Sequence, residues 1–173
     1  MKMRAGYALL FACVWMPVAF AGAPKTGDMP PTYLGKTLDG NEVELADHAG
    51  KAVVVTFWAS WCTYCLKELP VLEAIQQSAR DHVKVIAINT EPRNTFQRLA
   101  RRLEKFDLQL TYDPDLRSRR SYGVDGIPHL VIIGKDGKID SVFRGYGEES
   151  LDGIVQSINR AMGATAAQAN ALP

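Results

Sequence analysis

The sequence predicts an α/β fold in which helices flank a central mixed β-sheet, and three patterns support this. Residues 53–58 and 83–89 are short apolar runs rich in β-branched side chains, as buried strands are. The segment between them repeats leucine and isoleucine at helical spacing, so strand, helix and strand should form one right-handed parallel unit. A third apolar run, residues 129–133, continues through a glycine-containing turn into residues 138–143, which predicts an antiparallel pair.

The first 21 of the 173 residues have the pattern of an export signal. Lys2 and Arg4 precede an uncharged apolar stretch, which ends in the small-x-small cleavage pattern Ala19-Phe20-Ala21. The stretch is shorter than the roughly 20 residues that a spanning helix needs, so we expect cleavage. A retained membrane anchor and lipid attachment at Cys13 are the alternatives.

The rest of the chain has the length and composition of one ordinary domain. Residues 22–31 are small, polar and proline-containing, as in a linker, so we expect the domain over residues 32–162 and a flexible tail over residues 163–173. Without Lys2 and Arg4, the 20 basic residues of the whole chain become 18 against 19 acidic ones, and this balance of −1 gives no electrostatic reason to expect nucleic-acid binding. Only Cys62 and Cys65 of the three cysteines follow the signal, which excludes a scaffold held by several structural disulfides.

The remaining elements of the domain can be placed in chain order. An Asp-Gly turn between alternating runs predicts a β-hairpin over residues 32–45. Residues 92–106 have an amphipathic pattern that predicts a helix with a solvated basic face. Residues 113–115 predict a turn into a short helix ending near Tyr122, and a final helix is expected around residues 151–158.

Cys62 and Cys65 lie two residues apart, where the first parallel strand gives way to its helix. Unpaired backbone N–H groups and the positive end of the helix dipole favour an anion at a helix start, and a thiolate is such an anion. We therefore expect Cys62 to ionise more readily than a free thiol and to attack a disulfide, and Cys65 to resolve the resulting mixed disulfide. Half of a zinc site is the alternative, but the sequence has neither a second cysteine pair nor a histidine pair at ligand spacing.

The stretch Phe57-Trp58-Ala59-Ser60-Trp61-Cys62-Thr63-Tyr64-Cys65, with a proline five residues later, resembles the active-site segment of the thioredoxin superfamily. Glu68 and the Glu-Leu-Pro run are similar to those of its exported branch, the TlpA/ResA/CcmG-like proteins. The resemblance covers residues 32–160. It implies the thioredoxin fold with an N-terminal β-hairpin and an inserted helix, and a redox-active Cys62–Cys65 disulfide.

The same resemblance implies roles for further residues. Ile127 and Pro128 are similar to the cis-proline loop of the family, in which Ile127 would pair its backbone with an extended substrate. Trp61 would contact partners, although packing alone is the other interpretation. A buried carboxyl at Glu68 would have a raised pKa and could take the proton from Cys65. A simple preference for acids in the first turns of a helix also explains Glu68.

Several positions depart from the pattern of the family. Thr56 stands where thioredoxin itself has a titratable aspartate, and threonine cannot titrate. Thr63 and Tyr64 replace the common proline-containing pairs, and because this dipeptide tunes the reduction potential, the potential is open. His129 follows the proline where a small residue is usual. It could simply begin the strand, stabilise the Cys62 thiolate, or complete a copper site with the two cysteines.

The resemblance implies a periplasmic thiol–disulfide oxidoreductase that needs no cofactor and reduces disulfides in selected exported proteins. Expected clients are haem-attachment cysteines of apocytochromes c or copper-site cysteines, and the expected electron donor is a membrane thiol transporter of the DsbD/CcdA kind. A DsbA-like oxidant is one alternative, although the large helical insertion typical of that branch is missing. A copper chaperone that uses the same cysteines is the other.

Overall fold

The structure of the protein is a computed structural model that describes residues 22–163. The expected signal over residues 1–21 and nearly all of the expected tail over residues 163–173 therefore lie outside the described residues. The strands are β1 (Tyr33–Lys36), β2 (Glu42–Glu44), β3 (Ala52–Trp58), β4 (Val83–Asn89), β5 (Gln109–Tyr112), β6 (His129–Ile133) and β7 (Ile139–Arg144). The helices are α1 (Thr63–Ser78), α2 (Arg93–Arg102), α3 (Arg117–Ser121) and α4 (Glu148–Ala161), with a 3₁₀ turn at Leu45–His48.

The strands form a single mixed sheet in the order β2-β1-β5-β4-β3-β6-β7, which confirms the predicted fold class. β3 pairs parallel with β4, and β4 with β5, whereas β6 pairs antiparallel with both β3 and β7. β3 is buried along its whole length and lies near the centre of the sheet. The carboxyl end of this central strand leads directly to the two cysteines.

Two apolar clusters cover the two faces of the sheet. On one face, α1 and α4 pack Leu69, Leu72 and Ile158 against β3 and β4. On the other face, Tyr122 and Val124, which follow α3, pack with side chains of β1, β3, β4 and β6. Successive residues of β3 alternate between these clusters, as the pleat of a strand requires.

Several sequence expectations can be compared with the elements directly. The hairpin of β1 and β2 is antiparallel as expected, and β4 and β6 have the expected limits. The helix expected over residues 92–106 ends earlier, at Arg102, and the chain then turns into β5, a strand that the sequence analysis missed. β5 pairs with β4 on one side and with β1 on the other, so it connects the N-terminal hairpin to the core of the sheet.

Residues 22–31, expected to be a linker, make contacts with the domain. The backbone of Gly27 donates a hydrogen bond to the carbonyl of Ile139 (2.8 Å), and Ile139 donates one to Asp28 (3.0 Å). The Tyr122 hydroxyl donates to the Pro31 carbonyl at 2.7 Å. Within residues 22–163, no helix combines the length and apolar character that crossing a membrane requires.

Candidate active site

A disulfide joins Cys62 and Cys65 at the start of α1, with an S–S distance of 2.10 Å. Cys62 is the N-cap of the helix, and its Sγ accepts a hydrogen bond from the backbone N–H of Cys65 at 3.1 Å. This N–H is one of those that the helix itself leaves unpaired, so it can stabilise negative charge on Cys62. Cys65 is fully buried and Cys62 retains a small exposed area, which fits attack by Cys62 and resolution by Cys65.

Three large apolar side chains next to the two cysteines in the sequence are exposed, whereas the disulfide itself is nearly buried. Trp61 is 72% exposed, Tyr64 58% and Leu66 47%, an unusual exposure for large apolar side chains. Tyr64 also lines a cleft of about 520 Å³, together with Lys67, Tyr146, Gly147 and Glu149. The Lys67 ammonium lies 5.9 Å from the centre of the Tyr64 ring. The disulfide therefore lies next to a surface that can bury apolar groups of a partner.

Glu68 lies on the buried face of α1, one turn after Cys65, and is only 1% exposed. The Thr56 hydroxyl on β3 donates a hydrogen bond to Glu68 Oε2 at 2.6 Å, whereas Oε1 has no partner within the described part of the chain. Burial raises the pKa of Glu68 from 4.5 to about 7, and the hydrogen bond from Thr56 opposes this rise. A carboxyl with that pKa can both accept and release a proton near neutral pH.

Thr56 is the site residue that the sequence analysis missed. Threonine cannot titrate, but in the described residues the Thr56 hydroxyl is the one group that is hydrogen-bonded to the Glu68 carboxyl. The two residues are 12 positions apart, and the packing of α1 on β3 brings them together. The only signal in the sequence was a lone hydroxyl in an otherwise apolar strand.

The Ile127–Pro128 peptide bond is cis, as the resemblance implied. Ile127 is half-buried against both apolar clusters, and no other backbone group in the described chain is hydrogen-bonded to its N–H or C=O. The carbonyl of Pro128 accepts a hydrogen bond from the Gly145 N–H at 2.8 Å, which joins this loop to the segment that carries Tyr146. The proline loop is thus bound to the residue that precedes one wall of the cleft.

His129 lies on the other face of the sheet from the cysteines. It is paired directly with Phe57 of β3, and its ring meets the Phe57 ring edge to face at a centroid distance of 6.1 Å. Directly paired residues share a face, and Phe57 belongs to the cluster opposite the one that contains Cys62 and Cys65. The structure therefore does not bring His129 to the disulfide.

His129 begins β6, which was the simplest of the three interpretations, and its protonation state also argues against a role at the disulfide. Its ring is buried, and burial, together with the charge of Arg144, lowers its pKa to about 4. It is therefore uncharged at neutral pH and offers no cation to a thiolate. Across residues 22–163, no three His, Cys, Asp or Glu side chains are grouped to hold a metal ion, and His129 lies apart from the two cysteines with which the copper-site alternative would combine it.

Comparisons with known proteins identify the family of the chain. The Redoxin family matches residues 25–161. The chain is 28% identical to a thiol-disulfide oxidoreductase ResA of Bacillus cereus over 136 residues, which cover 76% of this chain and 78% of that protein. It is 30% identical to the thioredoxin-like protein YneN of Bacillus subtilis (strain 168) over 121 residues, covering 69% of this chain and 71% of that one.

Two solved structures share the fold over most of their length. A putative protein disulfide isomerase from Bacteroides thetaiotaomicron superposes with a TM-score of 0.70 at 31% identity, covering 81% of this chain and 91% of that one. A putative thiol:disulfide interchange protein DsbE from Chlorobium tepidum gives 0.69 at 26% identity, covering 82% and 100%. The chain belongs to the Redoxin family and is a thiol–disulfide oxidoreductase of the TlpA/ResA/CcmG-like branch of the thioredoxin superfamily.

Proposed function

We propose that this oxidoreductase works as a reductant of disulfides in selected exported proteins. The observation that carries the proposed direction is the placement of His129, which is uncharged and lies on the other face of the sheet. A strong oxidant of this type needs its reduced form stabilised, chiefly through a very acidic thiolate. Thr63 and Tyr64 bring no positive charge, so the helix start is left as the main stabilising feature of the Cys62 thiolate.

The proposed reaction proceeds in two exchanges. The Cys62 thiolate attacks one sulfur of a client disulfide, forming a mixed disulfide and releasing the other client sulfur as a thiolate. Glu68 takes the proton from the Cys65 thiol, and the Cys65 thiolate then attacks Cys62 Sγ. The second client thiolate leaves, so the client has gained two electrons and the enzyme holds the Cys62–Cys65 disulfide described above. A two-electron thiol donor must then reduce the enzyme again.

The client would bind across the surface beside the disulfide. The free backbone groups of Ile127 can pair with an extended client segment, and Trp61 and Tyr64 can pack on its side chains. This arrangement presents a client sulfur to Cys62, the cysteine that keeps some exposure. The buried Cys65 reacts only after the mixed disulfide has formed.

The cellular setting is proposed from the resemblance and from the apolar N-terminal segment. We place the protein in the periplasm, either free or held by an N-terminal anchor. A membrane thiol transporter of the DsbD/CcdA kind would supply electrons, and apocytochrome c or copper-site cysteines would be the clients. Relatives named ResA and a structural neighbour named DsbE support this setting as precedents.

The reduction potential of the purified domain tests the proposed direction. We expect a value nearer the roughly −270 mV of thioredoxin than the roughly −120 mV of DsbA. The measurement is equilibration against defined ratios of reduced and oxidised glutathione or dithiothreitol, read by alkylation of free thiols. A potential above about −180 mV, together with rapid oxidation of a reduced unfolded protein, would instead identify a DsbA-like oxidant.

A further inference from the structure

A carboxylate from a different part of the chain holds the turn that leads into Cys62. Glu91 lies in the loop between β4 and α2 and accepts two hydrogen bonds from Ser60. The Ser60 N–H donates to Oε2 at 2.6 Å, and the Ser60 hydroxyl donates to Oε1 at 2.8 Å. Both oxygens of the Glu91 carboxylate therefore accept hydrogen bonds from Ser60, which lies two positions before the attacking Cys62.

The position of Glu91 is itself well defined. Asn89, fully buried at the end of β4, accepts a hydrogen bond from the Glu91 N–H at 2.9 Å and donates one to Glu91 Oε2 at 3.2 Å. The residue between them, Thr90, donates its N–H to the carbonyl of Trp58 at 3.1 Å. The loop after β4 is thus bound to the end of β3, and the carboxylate is a rigid anchor for the turn.

The turn controls where the Cys62 sulfur lies. The Cys62 N–H donates to the carbonyl of Ala59 at 3.1 Å, which closes residues 59–62 into one turn. Cys62 Sγ in turn accepts a hydrogen bond from the Cys65 N–H at 3.1 Å. A shift of Ser60 would therefore move the sulfur relative to the helix start that stabilises its thiolate, and would move the exposed Trp61 with it.

We propose that Glu91 is a positioning residue for thiol–disulfide exchange, which acts through Ser60 to hold the Trp61-Cys62 turn in its reactive position. Glu91 contacts neither sulfur in this role, and its effect comes from the two hydrogen bonds to Ser60. The proposal rests on exchange at Cys62, which the family shares. It does not depend on the direction of the reaction or on the client proposed above.

The test compares Glu91→Ala with Glu91→Gln in the reduced enzyme. The measured quantity is the second-order rate constant for reaction with glutathione disulfide and with a protein disulfide, at a temperature well below unfolding. We expect Glu91→Ala to lower both rate constants by about tenfold, because a misplaced nucleophile loses rate steeply. The rate constants of Glu91→Gln should stay within about twofold of those of the wild type. The glutamine carbonyl can accept a hydrogen bond from the Ser60 N–H, and the Ser60 hydroxyl can rotate to accept one from the glutamine NH₂ group.

Glu73→Ala is the matched control. The Glu73 carboxylate likewise accepts hydrogen bonds on both oxygens from a distant segment, here from the backbone N–H groups of Asp107 (2.8 Å) and Leu108 (3.1 Å). It thereby joins α1 to the segment before β5. Its loss should lower the melting temperature to an extent similar to Glu91→Ala but leave both rate constants unchanged.

Three results would overturn the proposal. The first is a wild-type rate in Glu91→Ala, and the second is an equal loss of rate in Glu73→Ala, which would trace the effect to lower stability. The third is a Glu91→Gln variant as slow as Glu91→Ala, which would make the charge, and not the position, responsible. Where Glu91→Ala does not fold, Ser60→Ala takes its place. Ser60→Ala should lower both rate constants roughly threefold, and unchanged rate constants would count against the proposal.

Discussion

Replacing Glu68 by glutamine should change how the stability of the oxidised protein depends on pH. Burial raises the pKa of Glu68 from 4.5 to about 7 in the folded protein, whereas the unfolded chain exposes this carboxyl to water. Between these two values the folded protein holds a proton that the unfolded chain has released. The stability that this carboxyl contributes is therefore fully present below pH 4.5 and is lost as the pH rises through about 7.

The size of the effect follows from the difference of the two pKa values. A rise from 4.5 to about 7 is roughly 2.5 units, and each unit corresponds to about 1.36 kcal/mol. The free energy of unfolding should fall by about 3 kcal/mol between pH 4.5 and pH 8 through this residue alone. Glutamine has nearly the same shape as glutamate and can accept a hydrogen bond from the Thr56 hydroxyl, but it does not titrate. The Glu68→Gln variant should therefore lack this part of the pH dependence.

Urea denaturation of the disulfide-bonded protein at several pH values measures this difference. The stability of Glu68→Gln relative to the wild type should increase steadily from about pH 5 and level off once the pH exceeds about 7, where the folded carboxyl has also ionised. Using the oxidised protein removes the titration of Cys62 and Cys65 from the comparison. Parallel stability curves for the two proteins across this range would show that the pKa of the buried carboxyl is not raised in the folded protein.

Three further predictions concern the reaction itself. Thr56→Val removes the hydrogen bond that lowers the pKa of Glu68, so the pH profile for resolution of the mixed disulfide should shift upward; an unmoved profile would exclude Glu68 as the proton acceptor. Cys65→Ser should accumulate a mixed disulfide through Cys62, and peptide mapping would locate it. Preferential alkylation of Cys65 over Cys62 in the reduced wild type would instead show that the two cysteines have the opposite roles. Tyr64→Ala should slow reaction with a protein disulfide about tenfold, through lost apolar contact, but not with glutathione disulfide. Equal losses with both substrates would assign Tyr64 to the tuning of the cysteines.

The central strands could be predicted from the sequence because their burial on both faces leaves continuous apolar runs. β3, β4 and β6 are each five to seven residues long and nearly all buried, so composition alone located them. β5 has only four residues, of which Gln109 and Leu110 are half-buried, and its sequence carries no such run. Its identity as a strand comes from pairing with β1 and β4, which is tertiary information.

The active site, like the sheet, could be predicted from the sequence only in part. The cysteine pair is a local motif that the sequence shows directly, and the cis-proline was implied by the resemblance of its short loop to that of the family. The contacts that tune and position them join distant segments: Thr56 meets Glu68 across 12 residues, and Ser60 meets Glu91 across 31. No local pattern encodes these pairs, because each depends on how α1 or the β4–α2 loop packs on the end of β3. The local motif thus shows where the reaction occurs, and the distant partners determine its protonation and geometry.

His129 shows how the register of the sheet decides the electrostatics of the disulfide. Because it follows Pro128 in sequence, a position beside the cysteines was a reasonable hypothesis. Pairing with Phe57 turns its ring to the opposite face, where burial keeps it neutral. The face that carries the disulfide instead holds Glu68, whose ionised form disfavours a nearby thiolate. A carboxyl in place of an imidazolium makes the reduced, ionised state of the cysteines less stable, and this supports the proposed direction, in which the enzyme gives electrons to its client.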